Sequence, residues 1–179
     1  MKWSISFCLF CSFLLSSHSE ALSLTDDLGR LIDVDEPPKT IVSLSPHLTE
    51  MLFDLGVGHT VVGTVDFSDY PNAAKSIPRI GDASALNLER IIQMKPDLVI
   101  AWLSGGSFQS VERLIGLGLK VYVNEIRTPR DIASSAEKLG VLVGKTKRGL
   151  ELSRKFSEKI SGIQESRIEI RAPSVFFQL

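Results

Sequence analysis

Leu98-Val99-Ile100-Ala101-Trp102 is an unbroken apolar run. With no polar alternation, it predicts a strand covered on both faces, the usual state in a parallel sheet. The stretch before it reads as a short helix. Asn87 is a good N-cap; Leu88, Ile91, Ile92 and Met94 recur at helical spacing, and Glu89, Arg90 and Gln93 take the other face. Pro96 ends the helix, because the residue before a proline is pushed out of the α region, and Asp97 turns the chain. Ser104-Gly105-Gly106-Ser107 then forms a glycine loop. Helix, proline turn, buried strand and loop make half of a βαβ unit. Ligands of open α/β sheets sit outside the carboxyl ends of the strands, so Trp102 is the first candidate for ligand contact.

The rest of the chain alternates in the same way. Leu24 to Pro38 holds a turn at Asp27-Leu28-Gly29 and edge-strand character from Arg30 to Val34. Ile41 to Leu44 is the first core strand. Ser45 is an N-cap candidate, and Pro46 suits the first helical position, where its missing N–H costs nothing. His47 to Leu55 is a helix with Leu48, Met51, Leu52 and Leu55 on one face, and Gly56 suits the position past its end. Val61 to Val65 is a strand, and Asp66 to Pro71 a loop rich in aromatics and acceptors. Phe108 to Gly116 is a helix and Lys120 to Val123 a strand. Thr128-Pro129 starts a helix to about Leu142, with Ile132, Ala136, Leu139 and Val143 inward. Thr146 is the cap candidate of a last helix, in which Leu152, Phe156, Ile160 and Ile163 recur towards Arg171. At ~1.5 Å per residue such a helix extends about 38 Å, wider than the lobe before it, which marks a connector. Pro173 ends it, and Ser174 to Leu179 begins a strand.

Composition narrows the function classes. The chain has 179 residues, 44% hydrophobic and 23% charged, with a formal net charge of −1. That suits one globular domain and gives no reason to expect nucleic acid as a partner. Residues 1–21 read as a signal peptide: Lys2 is a short positive region, Trp3 to Leu15 an apolar core too short to span a bilayer, and Ser19-Glu20-Ala21 a small-x-small cleavage site. Export to the periplasm is the expectation. Cys8 and Cys11 both lie in that segment, so the mature protein is expected to hold no thiol or cysteine metal site.

No enzyme constellation is visible. GxSxG, HExxH and the phosphate-binding GxxxxGK[ST] are absent. Gly144-Lys145-Thr146 matches the end of the last pattern, but Leu139 stands where its first glycine belongs. A single histidine with no cysteine or paired partner is not a metal site. His47, at a helix start facing the expected cleft, reads as a capping-turn histidine in preference to an axial metal ligand.

Four passages carry a family resemblance: IVSLSPHLTEMLFDLG (Ile41–Gly56), VGTVDFSDYP (Val62–Pro71), NLERIIQMKPDLVIAW (Asn87–Trp102) and LIGLGLKVYV (Leu114–Val123). In this order they resemble the periplasmic binding proteins whose two α/β lobes are joined by one rigid helix. These serve ABC importers of cobalamin, haem and iron–siderophore complexes, and the cobalamin receptors are the nearest match. The resemblance covers roughly Ile41 to Leu179. It implies an α/β fold: a Rossmann-like parallel-sheet lobe over 22–144, a backbone helix over 145–172, and at 173–179 the first strand of a second lobe.

The resemblance further implies a binding protein without catalysis or resident cofactor, which captures cobalamin or a related corrinoid and delivers it to an ABC permease. Haem or an iron–siderophore is the alternative cargo. Phe67 falls where the family places a ligand-facing aromatic, commonly tyrosine. Trp102 matches a family tryptophan, while Ala83 stands where a second one belongs. Pro46 and His47 border the implied cleft. Glu89 matches the glutamate that docks on permease arginines; without the resemblance it reads as a solvated acid in a first helical turn. A family member needs about as much sequence again, so the chain is also expected to be a truncated receptor, a lone lobe that binds poorly.

Overall fold

The computed structural model describes residues 22–82 and 84–166. The expected signal peptide, Ala83, the expected end of the last helix and the strand expected over Ser174 to Leu179 lie outside the described residues.

β1 (Leu22–Thr25) and β2 (Leu31–Val34) form an antiparallel hairpin. Its Asp27-Leu28-Gly29 turn relies on Gly29 at φ +77°, a left-handed conformation that glycine adopts without strain. β3 (Ile41–Ser43), β4 (Val61–Thr64), β5 (Leu98–Trp102) and β6 (Val121–Asn124) form a parallel sheet in the order β4-β3-β5-β6. The unbroken apolar run has become a central strand, as a run without polar alternation should. α1 (Pro46–Asp54), α4 (Pro129–Leu142) and α5 (Thr146–Ser166) cover one face. There Leu48, Leu52, Leu139 and Leu142 bury against Ile41, Leu98, Ile100 and Tyr122. α2 (Leu88–Gln93) and α3 (Phe108–Gly116) cover the other, packing Ile91, Val111 and Leu114 on Val42, Val99, Ala101 and Val123.

Local chemistry explains most helix starts. Asn87 accepts from the Arg90 amide at 2.9 Å and Ser107 from the Ser110 amide at 3.2 Å. Asp131 accepts from the Thr128 amide at 2.7 Å, half of a capping box. α5 packs along α4, and the two backbones meet at paired glycines: a Cβ on Gly140 would lie 2.8 Å from the Gly149 Cα.

The expectations need correction in four places. Ser45 holds the N-cap backbone position of α1, but its hydroxyl caps nothing; it bonds the His47 ring instead. Thr146 is the first helical residue of α5 and not its cap. Ile92, placed on the apolar stripe of α2, is 41% exposed because a single turn beneath Ile91 suffices to cover this edge of the sheet. Ile163 is likewise exposed: the described core ends before that part of α5.

The hairpin is fastened to the β6 edge by two acids. Asp27 donates its amide to the Val123 carbonyl and accepts from the Glu125 amide, while its carboxylate pairs with Lys138. The Asp26 carboxylate accepts from the Leu28, Arg30 and Val123 amides and pairs with Arg30.

Candidate functional site

Chain direction creates the site. From β3 the chain passes to α1 on one face of the sheet, and from the adjacent β5 it passes to α3 on the other. Neighbouring strands whose connections diverge leave a crevice at their carboxyl ends, the usual ligand position in such sheets. Pro46 and His47 leave β3 at this crevice, and Trp102 ends β5 beside them.

His47 and Trp102 meet edge to face, with ring centroids 4.9 Å apart and planes at 89°. The Ser45 hydroxyl lies 2.6 Å from His47 Nδ1 and fixes the imidazole orientation. Burial lowers the His47 pKa from 6.5, so the ring is neutral at neutral pH. His47 Nε2 and Trp102 Nε1 are buried with no hydrogen-bond partner among the described residues. The Trp102 ring rests on Gly105, where a Cβ would fall 1.8 Å from it. The glycine loop is tied down in turn, since the Ser104 amide donates to Glu125, which also pairs with Arg127.

A groove of about 820 Å³ opens beside this pair, walled by α1, α4 and α5. Met51, Ile132, Leu152 and Phe156 make its floor apolar, and Glu50 and Lys159 stand among its charged lining. A largely apolar concavity with few polar groups suits a bulky organic ligand.

Phe67 does not join this groove. Its loop follows β4, on the far side of β3 from Trp102, and its ring is 82% exposed. The residue sits at φ +65°, uncommon for a phenylalanine. A chain of buried hydroxyls underlies it. Thr64 Oγ1 donates to Ser68 Oγ at 2.9 Å and lies 2.7 Å from Thr49 Oγ1. Thr49 Oγ1 donates to Ser43 Oγ at 2.9 Å, and Ser43 Oγ to the Ser45 carbonyl at 3.2 Å. Arg79 adds a second hold, donating to the Ser68 carbonyl at 3.0 Å and pairing with Asp69. Apart from Ser45, a cap candidate, none of these residues stands out in the sequence. The available signal was a hydroxyl near the carboxyl end of each of two apolar strands, Ser43 and Thr64.

Glu89 is exposed in the first turn of α2, remote from the groove lining. Among the described residues no three His, Cys, Asp or Glu side chains cluster as metal ligands.

An open parallel sheet with a ligand-sized groove and exposed aromatics at its carboxyl edge is the architecture of a solute-binding lobe. Residues 41–178 match the family model described as periplasmic binding protein, and the chain belongs to that family. The vitamin B12-binding protein of Vibrio vulnificus is 31% identical over 143 residues, which are 80% of this chain and 52% of that protein. The crystal structure of the periplasmic vitamin B12-binding protein of Vibrio cholerae superposes with a TM-score of 0.71 at 29% identity, over 74% of this chain and 52% of that one. A periplasmic haem-binding protein from Pseudomonas aeruginosa gives 0.64 at 25% identity, over 73% of this chain and 50% of that one. These relatives are binding proteins, not enzymes. The chain spans about half the length of the curated relatives it matches.

Proposed function

We propose that this chain is the ligand-capturing N-terminal lobe and connecting helix of a periplasmic receptor, which takes up cobalamin or a related corrinoid and passes it to an ABC permease. The observation that supports this reading is that three elements follow the adjacent strands β4, β3 and β5 at the carboxyl edge of one parallel sheet, in a family member with vitamin B12-binding relatives. These are the Phe67 loop, the Pro46-His47 turn and Trp102. In this reading Phe67 and Trp102 offer aromatic faces to a flat macrocycle, and Pro46 and His47 form the wall between them. The cargo is a transported ligand and not a resident cofactor.

Glu89 is assigned to permease docking. An exposed carboxylate in a first helical turn, away from the groove, is available to an arginine on a partner, and such charges fix orientation more than they add affinity. Haem is the second reading, favoured by the haem-binding structural relatives. Equilibrium dialysis of the full-length receptor against cyanocobalamin, haemin and a ferric siderophore tests the function. Retention of cyanocobalamin at a stoichiometry of one supports the corrinoid reading; preferential retention of haemin replaces it with the second, and retention of none contradicts both.

A further inference from the structure

We infer that the hydroxyl chain Ser43–Thr49–Thr64–Ser68 is a positioning device that presets the Phe67 loop against the Pro46-His47 turn before ligand arrives. This deepens the proposed function and rests on that reading for the role of Phe67.

The four oxygens come from β3, α1, β4 and the loop itself, and all four residues are buried. The links of 2.9, 2.7 and 2.9 Å are unbroken. At one end the chain grips the α1 start through the Ser45 carbonyl, which accepts from both Ser43 and Thr49. At the other end it reaches Ser68, the residue after Phe67. Four hydroxyl protons are shared among five close contacts, so losing one oxygen changes the partners of its buried neighbours, and such networks respond to deletion as a unit.

The loop has reason to need this hold. Phe67 places an apolar ring in water and holds a left-handed backbone angle, a combination that persists only where the surroundings impose it. Its neighbours are fixed on both sides, Asp66 by the hydrogen bond its amide donates to the Gly81 carbonyl and Ser68 by Thr64 and Arg79. A loop ordered in advance spares the ligand the ordering cost, since apparent affinity scales with the fraction of competent conformer.

The test compares amide hydrogen exchange over residues 65–70 in the parent, Thr64→Val, Thr64→Ser and Ser68→Ala proteins, with dialysis of cyanocobalamin and haemin alongside. Thr64→Val should speed exchange in that loop by roughly tenfold, the size expected on losing a buried hydrogen-bond partner. Exchange in β5 and α4 should stay within twofold of the parent. Thr64→Ser restores the hydroxyl and should restore slow exchange. Ser68→Ala removes only the terminal link and should loosen the same loop, whether or not Thr64→Val folds. Whichever probe the parent retains should bind Thr64→Val roughly tenfold more weakly. Loop exchange within twofold of the parent in both deletion variants overturns the proposal. So does equal loosening of β5 and α4, or a Thr64→Ser protein as fast as Thr64→Val. If the parent binds neither probe, the ligand reading falls, and the exchange comparison decides the positioning role alone.

Discussion

His47 meets Trp102 edge to face, with ring centroids 4.9 Å apart, and so joins the first helix of the lobe to the end of its central strand. The contact lies at the crevice between two connections that leave the sheet on opposite faces. An edge-to-face aromatic pair contributes about 0.5–1.5 kcal/mol beyond its buried area, enough to matter at a site with little other packing.

That contact should be sensitive to pH. Burial lowers the His47 pKa, so below pH 6.5 the unfolded chain binds a proton more readily than the folded one. The stability contributed by the neutral ring is complete above that value and is lost as pH falls towards the folded pKa. Ser45 and Trp102 contact the ring, and Glu50, Asp54, Lys155, Glu158 and Lys159 are the charged groups lining the same groove. Urea midpoints measured from pH 7.5 to 5 should fall in the parent and fall less in His47→Gln. Equal slopes in the two proteins would remove His47 as the cause.

Gly105→Ala should displace the Trp102 indole, because the new Cβ would fall 1.8 Å from the ring. Overpacking of this kind typically costs about 1–3 kcal/mol. The chain's other tryptophan is Trp3, so in a Trp3→Phe background the emission maximum reports Trp102 alone and should shift to the red as the ring moves into water. An unchanged spectrum at parent stability would show that the loop yields instead.

Asn87→Ala removes the side-chain cap of α2 and should cost about 1 kcal/mol, read as a lower urea midpoint at unchanged slope. Asn87→Asp keeps the acceptor and should retain most of that stability.

Glu89→Arg should leave ligand retention intact while abolishing uptake, tested in the full-length receptor with its importer. The stability change should be under about 1 kcal/mol, the scale of a charge at a helix N-terminus. Loss of ligand retention in that variant would contradict the docking assignment.

What the sequence made legible was local. Asn87 and Thr128-Pro129 announce helix starts within a few residues of sequence, and the apolar run at Leu98 announces a doubly covered strand. The family passages pointed to the parallel fold. Non-local relationships were not legible. Ser45 had two partners within reach, the α1 amides and an imidazole two residues on, and only the folded turn decides for His47. Thr49 and Thr64 meet across fifteen positions of sequence, so their hydroxyl bond leaves no periodic trace. Nothing marks Phe67 for a positive φ, since the left-handed region favours glycine and asparagine. Ile92 followed the helical period correctly, yet a one-turn helix at a sheet edge has too little to cover it.

The capture site is tested most directly by a fluorescence titration of Trp102 with cyanocobalamin and haemin, run in a Trp3→Phe background on the parent and on Phe67→Ala. Saturable quenching by one of the two at a stoichiometry of one is expected, weakened at least several-fold by removal of the Phe67 ring. Linear attenuation by both, identical in the two proteins, would mean that no ligand reaches Trp102 and would contradict the assignment of this sheet edge as the capture site.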